Sequence, residues 1–464
     1  MANETRTLAK FAADLRDEDV PVHVRRLATN LLVDQLGCAI GGVKTPWGAQ
    51  VRATVSRAGG VPDATVIYFG DKLPAGSAAL INSTFGHSYE YDDLNGLAHG
   101  HPGAELIPAL LAIAEREHIC GRDFLTALVV AYEVRGCIGW AVSPDLFEIG
   151  GPQFSTSCGP FGAAVGVARL LGLDADGIHN ALGIAGTFSG GLMQYDQGGG
   201  SVKRIFTGVG ASSGIQSAEL ARAGMTGPEG ILEGARGLLR IYTRAYKPER
   251  LLPHAAGKWI FERIQFKPYC CCGIIHPSID GLKKIISEQK LTADDIASIT
   301  IRNPSGFHDH ATITAPHDML GMQFSTSYSL ALTALRGGNT PREYTLDALA
   351  DPAIKAFASR VTVEEGTELN KICEGHFSAH IKVCTNSGAV HEQLVIDAKG
   401  SVAVPLTDED IDNKFRSQAE EHLGSANCEA LLRMLRDIDG IPDVGKLFTL
   451  LAAKEIAEPG TAQT

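Results

Sequence analysis

Residues 86–102 read GHSYEYDDLNGLAHGHP, which brings Glu90, Asp92 and Asp93 together with His87, His99 and His101. Carboxylates and imidazoles at this density are the material of a metal site, since His and Asp are common ligands. The spacing fits no familiar metal motif, because neither His-Glu-x-x-His nor a paired Cys-x-x-Cys occurs here. A plainer reading is a helix end running into a solvated loop. A sharper one is acid–base catalysis, in which an Asp and a His with displaced pKa values exchange protons with a substrate. Pro102 stiffens the chain after His101 and opens the next helix, expected over residues 104–115.

A second segment, GGGSVKR over residues 198–204, delivers two adjacent cations, Lys203 and Arg204. It lacks the G-x-x-x-x-G-K-[ST] phosphate loop, and Gly208-x-Gly210 lacks the third glycine of the dinucleotide fingerprint. What remains is a flexible loop whose cations either bind a substrate carboxylate or form a surface pair. Lys203 could also carry a proton if desolvation lowers its pKa. A third segment runs from Lys267 through Cys270-Cys271-Cys272-Gly273 to His276. Three contiguous thiols point in different directions, whereas iron–sulfur clusters are held by spaced ones. Buried free cysteines serve as small hydrophobes, and Lys267 and His276 are the better candidates for a cation and a proton carrier. Tyr328 opens an Ala/Leu-rich helix and is either a core aromatic or a site residue. No Gly-x-Ser-x-Gly nucleophile elbow occurs.

The elements that must position these groups change in texture along the chain. The first 260 or so residues are rich in Ala, Leu and Gly, with helical periodicity at 22–40, 123–142, 161–173 and 175–192. After Lys267 short strands are expected at 298–302, 359–365, 379–385 and 390–396, the last two flanking the turn signal Asn386-Ser387-Gly388. Helical runs at 278–289 and 323–335 lie among them, and residues 408–457 return to helix. The expectation is a mainly α protein with an α+β second domain. Residues 1–266 form a helical domain, completed by 405–464, and residues 267–404 form a smaller α+β domain.

With 464 residues, 44% hydrophobic and 20% charged, the chain has ample material for a large core. Its formal net charge of -12 argues against nucleic acid or an anionic membrane as partner. It does not argue against an acidic small molecule, because a few local cations decide that. No apolar run is expected to reach the roughly 18 residues that span a bilayer. Residues 1–15 read as amphipathic helix rather than a secretory signal. The ten scattered cysteines are therefore expected to be reduced thiols, and the compartment cytoplasmic.

In order and spacing these segments resemble the MmgE/PrpD family of 2-methylcitrate dehydratases, cis-aconitate decarboxylases and iminodisuccinate epimerases. The resemblance rests on Asp92-Asp93, His101-Pro102, Leu171-Gly172-Leu173, residues 180–186 (NALGIAG), Lys203-Arg204 with Gly208, and Gly227-Pro228 with Leu232-Glu233-Gly234. It continues through Lys267, Cys272 and His276 to Phe324-Ser325 and Tyr328. It implies a cleft between a large helical and a smaller α+β domain, a homodimer, and no metal or organic cofactor. By matching positions it implies that Asp93, His101, Lys203, Lys267, His276 and Tyr328 line the cleft.

On that footing the substrate is a small polycarboxylate. Lys203, Lys267 and Arg204 would bind its carboxylates and His101 would act as acid or base. Asp93 would orient His101, and Tyr328 would stabilise or protonate. His276 is a further catalytic candidate, while His87, His99 and Asp92 are read as structural. One departure stands out. The family's usual Gly-aromatic-His reads Gly151-Pro152-Gln153-Phe154 here, and glutamine binds a carboxylate but transfers no proton at neutral pH. Gln153 is therefore expected to bind substrate. The reaction stays open between a lyase (dehydrating or decarboxylating), an epimerase, and a non-catalytic carboxylate binder.

Overall fold

The structure, a computed structural model, describes residues 3–143, 145–146, 152–195, 199–305, 311–373 and 376–452. Helices Pro102–Arg116, Gly121–Val142, Phe154–Leu170 and Phe206–Arg222 pack on one another, with Ala75–Gly86 against the last of these. Their Ala- and Gly-rich faces allow the close approach that such packing needs. Helix Phe154–Leu170 starts earlier than the periodicity suggested, because Pro160 is accommodated inside it rather than marking its start. The helix expected over 175–192 instead ends at Ala185 and gives way to a single turn at Gly186–Phe188, before Ser189-Gly190-Gly191. The C-terminal helical run opens with two helices, Asp408–Leu423 and Ser425–Arg436, parted at Gly424, and a short helix Phe448–Leu451 follows.

One expectation needs correcting. Helix Gly121–Val142, 22 residues, is long and apolar enough to cross a membrane, contrary to the sequence reading. It is the central core helix: 94% of its most apolar window is buried against the neighbouring helices. It also carries Arg135 fully buried, held by a two-point ion pair to Glu105 (Nε–Oε2 2.8 Å, Nη2–Oε1 3.0 Å).

The strands are β1 (Ala64–Thr65), β2 (Lys72–Leu73), β3 (Leu94–Asn95), β4 (Ile264–Gln265), β5 (Ile296–Asn303), β6 (Val361–Glu365), β7 (Ala379–Thr385) and β8 (Val390–Val395). The last four form one sheet in the order β6-β5-β7-β8, with β5 parallel to β6 and the other pairs antiparallel. Ala379, Ile381, Val383 and Thr385 of β7 alternate into the core, and helix His276–Gln289 covers that face. Apolar side chains form two main cores. One joins Leu8 through Phe266 with Leu406 through Leu451; the other spans Tyr269 to Val383 and takes in Cys38 and Tyr91. The antiparallel pair β3·β4 (Leu94↔Gln265, Asn95↔Ile264) ties the histidine-rich segment to the chain that leads into the second core.

Removing one partner of a buried ion pair strands the other charge without solvent. Arg135→Met should therefore cost about 3–5 kcal/mol of stability, read as a lowered urea midpoint. The double variant Glu105→Gln/Arg135→Met should recover part of the loss.

Candidate active site

Residues 87–101 leave helix Ala75–Gly86 and reach helix Pro102–Arg116 without forming a helix themselves. Side chains at both ends hold this segment in shape. Asn95 accepts the N–H groups of Leu97 and Ala98 through Oδ1 (3.0 and 2.8 Å) and donates to the Ile260 carbonyl (3.1 Å). Arg135 Nη1 donates to the carbonyls of Ala98 (3.0 Å) and His99 (2.6 Å). The guanidinium comes so close at Gly100 (φ +78°) that a Cβ there would lie 2.2 Å from Nη2. His99 stacks on Phe154, ring centroids 5.2 Å apart.

Glu90 lies at the centre of the arrangement. Its backbone is left-handed (φ +54°), an uncommon and strained choice for a residue with a Cβ, and its side chain is 2% exposed. Three cations from two distant segments meet its carboxylate. Lys203 donates to Oε1, Arg204 Nη1 lies 3.3 Å from Oε1, and Lys267 Nζ lies 3.5 Å from Oε2 while donating to the Glu90 carbonyl at 3.1 Å. Burial alone would raise the carboxyl pKa, but Lys203 and Lys267 hold it well below the ordinary range. Burial, opposed by Glu90, lowers the Lys203 pKa, and Lys267 and Arg204 lower it further. Lys267, facing both Glu90 and Asp92, is raised in spite of its burial.

A hydrogen-bonded row runs on from Lys203. Its ammonium donates to His87 Nε2 (3.0 Å), and the opposite ring nitrogen, Nδ1, lies 2.8 Å from Asp92 Oδ2. Since an ammonium only donates and a carboxylate only accepts, His87 is neutral with its proton on Nδ1. Burial holds its pKa down, to about 4. Asp92 is pushed up by burial but held well below the usual range by His87 and His101. His101 Nδ1 donates to the Asp93 carbonyl (2.9 Å) and lies 3.4 Å from Asp92 Oδ2. This leaves Nε2 as the proton-exchanging nitrogen, 3.9 Å from Glu90 Oε2. At 13% exposure the His101 side chain is the most accessible of this buried set.

The structure corrects the role expected of Asp93. Its carboxylate does not face His101: Oδ1 accepts the Gly103 N–H (2.8 Å) and Oδ2 the Tyr132 hydroxyl (3.2 Å), so it caps helix Pro102–Arg116. Burial and the neighbouring Asp92 push its pKa well up. Asp93 orients His101 through its backbone carbonyl, and the carboxylate beside the ring is that of Asp92. His87 and Asp92, read as structural, belong to the cluster. So does Glu90, whose left-handed turn no spacing rule announces. The surface-pair reading of Lys203 and Arg204 also fails, since both are buried in the turn Ser201–Ile205 ahead of helix Phe206–Arg222. Gln323 accepts from Arg204 and donates to the Tyr89 carbonyl (2.6 Å), which fixes the guanidinium.

Among the described residues the remaining candidates make no hydrogen bond to the cluster. Gln153 Oε1 accepts the Thr156 N–H (2.9 Å) and caps helix Phe154–Leu170, so that oxygen is engaged in the fold; the preceding Gly151 lies outside the described residues. His276 is buried beside Tyr269, and burial together with Lys267 lowers its pKa to about 3, so it is neutral at pH 7. Tyr328 is buried at the start of helix Thr326–Arg336, and among the described residues no hydrogen bond links its hydroxyl to the cluster. Cys270 and Cys271 are buried, with thiol pKa values raised by burial.

Could the cluster hold a metal? Ligand atoms of His87, Asp92 and His101 lie within 4.8 Å of one another, which is close enough for shared coordination. The donors are already engaged, however: His87 bonds Asp92 and Lys203 through its two nitrogens, and His101 Nδ1 bonds a carbonyl. Three further cations around Glu90 oppose a divalent ion. The residues fit a carboxylate better than a metal.

Residues 6–251 match the MmgE/PrpD N-terminal domain and residues 269–439 the MmgE/PrpD C-terminal domain. The chain belongs to the MmgE/PrpD family. Among curated relatives it is 29% identical to a cis-aconitate decarboxylase-like protein of Aspergillus oryzae, covering 97% of this chain and 98% of that one. It is 28% identical to the cis-aconitate decarboxylase of Aspergillus terreus, over 96% and 95% of the two chains. A 2-methylcitrate dehydratase of Cupriavidus necator is 27% identical over 74% of each. In this member of the family the two matched domains meet at the cluster, since Arg204 of the first bonds Gln323 of the second, while Lys267 comes from the chain between them.

The neutral buried histidines predict a pH dependence. His87 and His276 protonate near the ordinary 6.5 when unfolded but at about 4 and about 3 when folded. Below pH 6.5 the unfolded chain binds more protons, so stability should fall as pH drops from 6.5 toward 3, His87 alone contributing on the order of 3 kcal/mol. Urea midpoints measured across this range check it; a rise in stability on acidification would contradict it.

Proposed function

We propose that the protein is an MmgE/PrpD-type lyase acting on a small di- or tricarboxylic acid by proton transfer at the carbon next to a carboxylate. The observation that carries this is the meeting of Lys203, Arg204 and Lys267 beside His101, whose Nε2 is the open ring nitrogen. Cations around a substrate carboxylate stabilise the negative charge that develops when an adjacent carbon gains an electron pair. His101 then supplies or takes the proton. In a decarboxylation the C–C bond to the leaving carboxylate breaks, carbon dioxide departs, and the imidazolium proton goes to the carbon left with the pair. In a dehydration the neutral ring takes the proton from carbon, and the hydroxyl leaves the neighbouring carbon as water by taking that proton from the imidazolium.

Lysis suits this site better than epimerisation. Inverting a carbon calls for proton carriers on two faces, and Gln153 transfers no proton while His276 has its pKa lowered to about 3. The names of the relatives, decarboxylases and a dehydratase, agree with that choice. The reading includes no metal, because ammonium and guanidinium groups supply the positive charge.

Proton NMR in deuterated water with cis-aconitate, 2-methylcitrate and iminodisuccinate should show loss of carbon dioxide or water from one of the first two. His101→Asn and Lys203→Met should each lower kcat/KM by roughly 10²–10⁴. Undiminished turnover in either variant would sink the assignment. Dialysis against EDTA should leave the rate unchanged.

A further inference from the structure

Lys267 also borders a second feature, one that the rest of the cluster does not line. A cavity of about 380 Å³ opens between the β3·β4 pair and the loop of residues 397–403. That volume lies within the range of small-molecule sites. Its lining is positive: Arg263, Lys267 and Lys399 against one carboxylate, Asp397. Asp397 is engaged by His376 Nδ1 (2.8 Å), Lys399 by Asp410 (2.7 Å), and Lys267 by Glu90.

Arg263 differs from these. Among the described residues it forms no ion pair, and its Nε is buried with no hydrogen-bond partner. A half-buried guanidinium without a counter-charge is costly, and that cost is relieved by an anion with two oxygens, which its planar fork accepts well. The backbone fixes the residue firmly, because it directly precedes β4, and its carbonyl accepts the Gly96 N–H (3.4 Å). Lys267 belongs both to this cavity and to the Glu90 cluster. A molecule filling the cavity therefore meets the cluster at Lys267.

We infer that this cavity is the subsite for the distal carboxylate of a tricarboxylic acid, and that Arg263 is the residue that makes the protein prefer three carboxylates to two. The inference rests on the lyase reading above and names its substrate class. The carboxylate next to the reacting carbon lies with Lys203 and Lys267, and the distal one lies against Arg263. Asp397, already bonded to His376, and Lys399, bonded to Asp410, leave Arg263 as the cation with the most to gain from an incoming anion.

The experiment compares wild type with Arg263→Met and Arg263→Lys, after thermal unfolding shows which variants are folded. Two probes that do not react, tricarballylate and glutarate, are titrated by calorimetry, and cis-aconitate is used for turnover. Arg263→Met should weaken tricarballylate binding about ten-fold or more and leave glutarate within about two-fold. It should raise KM for cis-aconitate with kcat little changed, since a distal contact binds ground and transition states alike. Arg263→Lys should recover part of the binding. If wild type binds tricarballylate and Arg263→Met binds it equally well, the subsite is wrong and the lyase reading survives. If both probes weaken equally, Arg263 acts through the general field and the subsite is again wrong. If wild type neither binds tricarballylate nor turns over cis-aconitate or 2-methylcitrate, both readings fall together.

Discussion

Three cations around one buried carboxylate govern this structure. Lys203, Arg204 and Lys267 would repel one another if brought together without a counter-charge, and burial would make each of them expensive. Glu90 removes the difficulty by accepting from Lys203 and Arg204 of one segment and facing Lys267 of another. The arrangement tells how the pocket is charged before substrate arrives. Lys203, Arg204 and Lys267 outnumber Glu90 and Asp92 by one when the histidines are neutral, so a net positive site sits inside a protein of net charge -12. That is the local inversion that an acidic substrate needs.

Holding such a cluster takes a frame, and the frame is polar as well. Arg135, paired with Glu105 in the middle of the core, reaches the Ala98 and His99 carbonyls three and two residues ahead of His101. Asp93 caps the helix that follows His101 and lends its carbonyl to the imidazole. Lys414, from the C-terminal helix Asp408–Leu423, donates to the Tyr91 carbonyl at 2.6 Å and pairs with Asp34 at 2.7 Å. The same short segment is thus gripped from both sides by buried charges. The returning C-terminal helices contribute to the site by this contact.

Much of this was legible in the sequence, for reasons that differ by residue. Helical periodicity and the alternation of β7 follow from which face is buried, and both show in the sequence. Lys203, Arg204, Lys267 and His101 stand out because cations and an imidazole at Gly- or Pro-marked positions are unusual. Glu90 was hidden by its neighbours, being one of three carboxylates in four residues, with its distinction lying in a left-handed backbone that spacing does not encode. Asp93 was misread for the related reason that adjacent residues point in different directions. Its side chain went to the helix N-terminus and Asp92's to the rings. Gln153 and Pro160 show the limit from the other side, since a helix that starts seven residues early turns a presumed ligand into a cap. Arg263 carried no signal at all, because what marks it is a missing partner.

On the proposed function the Glu90 cluster receives a substrate carboxylate within reach of His101. A crystal structure of the wild-type protein with tricarballylate bound tests it most directly. One carboxylate should lie within about 3 Å of Lys203 Nζ and the adjacent carbon within roughly 3.5 Å of His101 Nε2. A ligand seated away from Lys203, or one whose carbons all lie beyond the reach of His101, would contradict it.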